Sequence, residues 1–285
     1  MATSSEDEST QRPQVRAFVR RFQTNSQAAH VDTDRGEFVI KAMNNEDGLP
    51  ALIADWVGTR AARWLGVPVP DCAIVELSDL IDVPLGADRQ TLAQAGPCFG
   101  SRYVNAYGWN GDAASLTSVE NVGAIAGVVV ADTWLRNLDR FCRGADRNVR
   151  YDNPKNLLLS GSGAAKGRFR LIAIDFGHAL GGPTSPTSRL MHIDSWQDDT
   201  TYGVFPSFRR YMERNRVTPF LNRLSQLNEA DAKSFVDGIP GEWGLSRGDA
   251  DVIVEFLERR ATYVAGKLRK MIWTDDTLWT MDPEH

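Results

Sequence analysis

Apolar and polar positions divide the chain into two unlike parts. Val15 to Phe22 (VRAFVRRF) and Glu37 to Met43 (EFVIKAM) carry apolar residues in partial alternation and predict strands, and the polar stretch Gln23 to Gly36 between them predicts a loop. Pro50 then opens a segment in which Leu52, Ile53, Trp56, Val57, Ala61, Trp64 and Leu65 keep helical spacing until Gly66 supplies a C-terminal stop, with Pro68 and Pro70 beyond it. Ala73 to Leu77 and Cys98 to Val104 predict two further strands, joined by a loop rich in Gly, Pro and Asp.

From Ser118 the period changes. VENVGAIAGVVVADTWLRNL is almost wholly apolar and predicts a long helix buried at the centre of a lobe, ending at Asn137–Leu138–Asp139–Arg140. Leu157 to Ser160 and Phe169 to Ile174 flank a turn of glycine and serine, a hairpin signal, and the second strand runs straight into Asp175–Phe176–Gly177–His178. Helices follow over Phe208 to Asn215, over Pro219 to Leu227, from a cap near Asn228, and in a long last segment after Ser246–Arg247–Gly248–Asp249, which has the form of a capping box. The pattern predicts an α+β chain: a disordered leader over 1–13, a small β-rich lobe over 14–104 and a larger helical lobe over 105–285, with the boundary near 102–110.

Composition narrows the picture. With 285 residues, 42% of them hydrophobic, the chain can bury a core as one large domain or two small ones. Lys and Arg total 32 against 37 Asp and Glu, a formal charge of -5, which gives no bulk attraction to nucleic acid or anionic lipid. The leader is polar and acidic and no apolar run reaches bilayer length, so a soluble cytoplasmic protein without a membrane partner is expected. Cys72, Cys98 and Cys142 are far apart, lack a CxxC or paired histidines, and read as reduced thiols.

Four residues in chain order suit phosphoryl transfer, which needs a cation on the phosphates, oxygen ligands for magnesium and a carboxylate that orients the attacking hydroxyl. Lys41 lies on a strand, Asp139 follows the buried helix, Asn156 precedes the hairpin and Asp175 ends it. Each alone has an ordinary reading: a solvent-facing lysine, a capping aspartate, a turn asparagine. Asp175 resists it, because a carboxylate set at the end of the apolar strand LIAI is costly to bury without a cation. Trp56, Trp64 and Trp134 lie on apolar helical faces and read as core.

NLDR, NPKNLLL and LIAIDFGHAL, preceded by EFVIK and a helix ending in RWLGVPVP, together resemble the HipA-like kinase family, and IDFGH is also similar to the phosphatidylinositol kinases. The likeness spans Val15 to Lys267, with IPGEW at 239–243 a further matching piece. It implies a two-lobed protein kinase-like fold that uses ATP and Mg2+. Lys41 would contact the α- and β-phosphates and Asp55 would hold it in place. Asp139, with Arg140 completing the family's DR pair, would be catalytic, and Asn156 and Asp175 would be the metal ligands. Arg102, Tyr103 and Val104 would lead into the hinge that meets adenine, and Ser26 would belong to the phosphate loop.

Two departures stand against the family pattern. The segment RFCRGADRNVRYDNPK lengthens the catalytic loop, so Asn153 and Asn148 remain alternatives to Asn156 as metal ligand. Gln23 to His30 contains no glycine, although backbone N–H groups approach phosphates most readily at glycine. Arg143, Arg147 and Arg150 in the insertion suit phosphate, an acidic substrate or plain solvation, while His178 suits packing, nucleotide or solvent. The resemblance implies transfer to Ser or Thr of a protein substrate, in a toxin–antitoxin or phage-defence pair with a cognate inhibitor or antitoxin. The alternatives are a pseudokinase that binds without catalysis, a small-molecule or lipid acceptor, and transfer of AMP; the acidic net charge disfavours lipid.

Overall fold

The computed structural model describes residues 11–22, 27–85, 91–143, 148–185 and 187–274, with side chains through Lys270. Five antiparallel strands form the N-terminal sheet in the order β1-β2-β3-β5-β4: β1 Val15–Arg21, β2 Ala29–Thr33, β3 Gly36–Lys41, β4 Cys72–Leu77 and β5 Gly96–Arg102. β2 occupies what the polarity of the sequence predicts as loop. Its Ala29, Val31 and Thr33 are buried, and His30 is buried too because it stacks on Tyr103 with ring centroids 4.0 Å apart, so a polar side chain is packed where the pattern implied solvent. Of the expected leader, residues 1–10 lie outside the described residues, while Arg12 pairs with Glu76 at 2.9 Å and the Pro13 carbonyl accepts the Glu76 N–H.

α1 (Gly48–Leu65) follows β3 and ends as expected at Gly66, whose φ of 94° places it in the left-handed region that glycine tolerates. Phe99 and Ile74 on the sheet pack into the same core as the apolar side of α1, whereas Val75, Cys98, Val31 and Ile40 form a smaller core on the sheet's other face, joined by Ile81 and Val83. Tethers run from this region to the C-terminal helices. Trp56 Nε1 of α1 donates to the Asp237 carbonyl at 3.0 Å, and Trp243, in the IPGEW segment, donates to the Pro97 carbonyl at 2.9 Å.

The chain then crosses through β6 (Tyr107–Gly108) to the buried α2 (Ala124–Leu135), every residue of which is buried. α2 begins later than the apolar run suggests, because the Glu120 N–H donates to the Phe169 carbonyl at 2.9 Å and holds residues 119–120 against the hairpin. β7 (Phe141–Arg143) and β8 (Val149–Asp152) form a two-stranded ribbon inside the insertion, and β9 (Leu157–Ser160) and β10 (Arg170–Ala173) form the expected hairpin, with β6 on its outer edge. The rest is helical: a short α3 (Ile193–Trp196), α4 (Arg214–Leu224), α5 (Glu229–Val236) and α6 (Arg247–Thr274). Pro219 lies inside α4 instead of opening it, while Asn228 caps α5 and Ser246 and Asp249 form the capping box of α6. Cys72, Cys98 and Cys142 are free thiols, and no described helix is long and apolar enough to cross a membrane.

Gly58 of α1 lets Phe176 lie against the helix: a Cβ there would sit 2.5 Å from the Phe176 Cβ. Helix propensity alone favours alanine over glycine by roughly 1 kcal/mol, but overpacking a fixed Cβ costs about 1–3 kcal/mol. We expect Gly58→Ala to lower the urea midpoint; a raised midpoint would show that Phe176 moves aside freely.

Candidate active site

The residues that the sequence singles out converge below the sheet. Lys41, the last residue of β3, is buried, and its Nζ donates at 2.7 Å to Asp55 Oδ2 on α1 and at 2.7 Å to Asp175 Oδ1 just beyond β10. Asp55 thus reaches the lysine directly. Its second oxygen accepts the Phe176 N–H at 2.8 Å, which fixes the turn after Asp175 to the helix. Asp175 adopts φ 60°, an uncommon conformation for a side-chain-bearing residue though one that aspartate tolerates better than most. Gly177 has no side chain for a steric reason: a Cβ there would lie 3.1 Å from Asp55 Oδ2 and 3.5 Å from Lys41 Nζ.

One ammonium serves two carboxylates, and burial distributes it unevenly. Burial opposes the charge on Lys41, but Asp175 and Asp55 more than offset that and hold its pKa above the usual lysine range. Asp55, deeper in the protein, is pushed up by burial to about 6, against the pull of Lys41. For Asp175 burial pushes up as well, and Lys41 outweighs it, so its carboxyl stays below the usual range.

Asp139 is held by asparagines from the far end of the insertion. Asn153 Nδ2 donates to Asp139 Oδ1 at 2.6 Å and to its carbonyl at 2.8 Å, and Asn156 Nδ2 donates to Oδ2 at 2.9 Å. Burial, then the nearby Asp175, raises the Asp139 pKa above the usual carboxylate range. Asn156 stands beside Asp175 because the Ile174 N–H donates to the Asn156 carbonyl at 3.0 Å, continuing the β9–β10 ladder. Asn156 lines the cavity with Asp175, whereas Asn153 and Asn148 do not.

Arg140 is corrected by the structure. It is fully buried and does not face the cavity. Its Nε donates to Asp132 Oδ2 of α2 at 2.7 Å, one Nη donates to the carbonyls of Asn156 and Ile174, and the guanidinium lies 5.1 Å from the Phe176 ring. It is a positioning residue that joins α2 to the ends of β9 and β10. Asp132, its buried partner, has a structural part that the sequence hides, since an aspartate inside ADTWL reads as one polar interruption of an apolar helix. His178 sits with Nε2 3.9 Å from Asp47 at the start of α1, and that nearby carboxylate raises its pKa.

A cavity of about 300 Å3 opens above these groups. Val39 and Phe99 from the sheet and Leu158, Ala173 and Ile174 from the β9–β10 hairpin supply apolar walls, with Lys41, Asp55, Asn156 and Asp175 among its polar groups. Arg102, Tyr103 and Val104 also line it, together with Lys155, which the sequence reading passed over. The Arg102 guanidinium is engaged with Phe38 and the Arg35 carbonyl. The N–H groups of Arg102 and Tyr103 donate to the carbonyls of Asp71 and Glu37. Ser26 lies outside the described residues. The described residues contain no cluster of three His, Cys, Asp or Glu suited to a metal. The Asn156 amide oxygen and the Asp175 carboxylate are nonetheless hard oxygen donors of the kind magnesium takes when phosphates complete its shell.

The sequence profile described as HipA-like kinase matches residues 29–280. No curated protein sequence matches the chain at a significant level. Among solved structures it is similar to the proinflammatory kinase CtkA of Helicobacter pylori, at 13% identity and a TM-score of 0.54 over 88% of this chain and 96% of that one. That likeness shows the protein kinase-like fold.

Lys41→Met leaves Asp55 and Asp175 without their buried cation and is expected to cost about 3–5 kcal/mol near pH 8. The sign with pH follows from proton uptake: the variant's native carboxyls bind protons more tightly than the unfolded chain, so its stability falls as pH rises. Wild-type Asp55, with its raised pKa, contributes in the same direction from about 4 to about 6, while Asp175, with its lowered pKa, stabilises above the usual carboxylate range and loses that as pH falls. Urea unfolding should therefore show a smaller deficit for Lys41→Met at pH 5 than at pH 8. Equal deficits would mean that the carboxylates are solvated.

Proposed function

We propose that this chain, which belongs to the HipA-like kinase family, transfers the γ-phosphoryl group of ATP, with magnesium, to the hydroxyl of a Ser or Thr in a protein. The observation that carries the reading is Lys41 shared between Asp55 and Asp175 at one border of a cavity that Asn156 also lines, with Asp139, itself outside the lining, bonded to Asn156. The apolar walls suit a purine, and the backbone of Val104, unpartnered among the described residues, suits its polar edge.

Lys41 Nζ would donate to α- and β-phosphate oxygens while Asp55 keeps it charged and aimed. Asn156 and Asp175 would hold magnesium, which when bound neutralises charge on the phosphates. Asp139 would accept the proton of the acceptor hydroxyl as the hydroxyl oxygen bonds to the γ-phosphorus. The bond from that phosphorus to the β,γ-bridging oxygen breaks, and ADP carries the electron pair away. The two asparagine donors keep the Asp139 carboxylate oriented, and its raised pKa brings it nearer to the working range of a base. Family likeness adds a toxin–antitoxin or phage-defence setting with a cognate inhibitor to the proposal.

Purified protein incubated with magnesium and ATP labelled at the γ- or the α-position tests the reading. Wild type should transfer γ-label to protein. Asp139→Ala should keep magnesium-dependent ATP binding and lose transfer by about 10^2- to 10^4-fold, and Asp175→Ala should lose the magnesium-dependent binding. Transfer of α-label would mean nucleotidyl transfer, and binding without any transfer would mean a pseudokinase; either result overturns the proposal.

A further inference from the structure

The insertion between Asp139 and Asn156 carries a sheet edge that is exposed among the described residues. β7 and β8 grow from the loop that holds Asp139: the Asn153 N–H donates to the Arg140 carbonyl at 2.9 Å, and the Asn153 side chain holds the Asp139 carboxylate. Antiparallel pairs alternate between bonded and non-bonded. Arg140 and Asn153 form a bonded pair, so the next pair, Phe141 and Asp152, turns its N–H and C=O groups outward.

On the β7 side those outward groups are covered, since the Phe141 carbonyl accepts the Gly203 N–H at 2.9 Å. On the β8 side Asp152 has no backbone partner among the described residues, and Arg150 is the extra residue of a bulge. All four residues of β8 are exposed, including Val149 at 49% and Tyr151 at 39%. Proteins normally cover or blunt such an edge, and a two-stranded ribbon alone is marginal.

The charge of the ribbon identifies what fits. Within a chain of net charge -5, the exposed Arg143 and Arg150, with Lys155 at the cavity, outnumber Asp152 among the described residues of this segment. We propose that the free edge of β8 binds an extended, acidic segment of the acceptor protein, which adds as a third strand and brings its hydroxyl residue toward Asp139. Main-chain bonds to the edge would supply affinity, and Arg143 and Arg150 would select acidic neighbours of the acceptor residue. This proposal rests on the kinase reading for the chemistry but not for the binding.

Fluorescently labelled twelve-residue peptides with a central Ser, flanked by alternating Val or Thr and either Asp/Glu or Lys, test it by anisotropy on the full chain. Wild type should bind the acidic pool and not the basic one. The double substitution Arg143→Glu, Arg150→Glu should weaken that binding about tenfold or more while leaving magnesium–ATP binding, which also reports folding, unchanged. Asp152→Pro, which removes an outward N–H and no ladder bond, should weaken it too. No binding of the acidic pool, preference for the basic pool, displacement of the acidic peptide by single-stranded oligonucleotide, or binding indifferent to the substitutions would each overturn the docking site. Capture of the acidic peptide without γ-transfer would keep the docking site and remove the kinase reading. Transfer that ignores the substitutions would do the reverse.

Discussion

The bridge from Lys41 to two carboxylates is the constraint around which the rest is arranged. Its three side chains come from β3, from α1 and from the turn just beyond β10, so the sheet, its helix and the hairpin must meet at one point. Burying such a cluster is not a cheap route to stability, because each charge loses water and only good geometry offsets the loss. What the cluster gives is position. Gly177 and Gly58 are consequences of it, since a side chain at the first would crowd the bridge and one at the second would displace Phe176.

A second buried cation does for the loop what Lys41 does for the cleft. Arg140 binds Asp132 and reaches the carbonyls of Asn156 and Ile174, the residues just ahead of the β9–β10 ladder and of Asp175. Phe176 links the two clusters: its N–H donates to Asp55 and its ring faces the Arg140 guanidinium. A shift of the turn after Asp175 would therefore disturb both. Local electrostatics and packing thus act on the same few atoms, and they fix the relation between Asp175, Asn156 and Asp139 more firmly than either would alone.

What the sequence disclosed and what it hid divide along physical lines. Lys41, Asp139, Asn156 and Asp175 stood out because each lies at or just beyond the end of a periodic element, where a polar residue interrupts an apolar pattern, whereas Asp55, inside α1, was assigned only through the family resemblance. The strand β2 was not, since burial of His30 depends on Tyr103, more than seventy residues away in sequence, and no local pattern records a partner that distant. Arg140 was misjudged for the same reason. The resemblance gave Arg140 a catalytic role beside Asp139, and only the fold shows that Asp132 on α2 claims its guanidinium. The ribbon of β7 and β8 was invisible because its strands are short and, in β8, exposed on every residue, so no alternation marks them.

The charge around the bridge constrains how a nucleotide can enter. Asp55, Asp139 and Asp175 stand close to Lys41, so the region around the bridge is acidic even though it is the part of the cleft suited to phosphates. Two of those carboxylates already share the Lys41 ammonium, which leaves a surplus negative charge at the bridge. Phosphates arriving alone would add like charge at short range in a partly buried site, where Coulomb repulsion is screened far less than in water. In the proposed function the nucleotide and its divalent cation therefore act as one ligand: the oxygens that repel the first are the ones that bind the second.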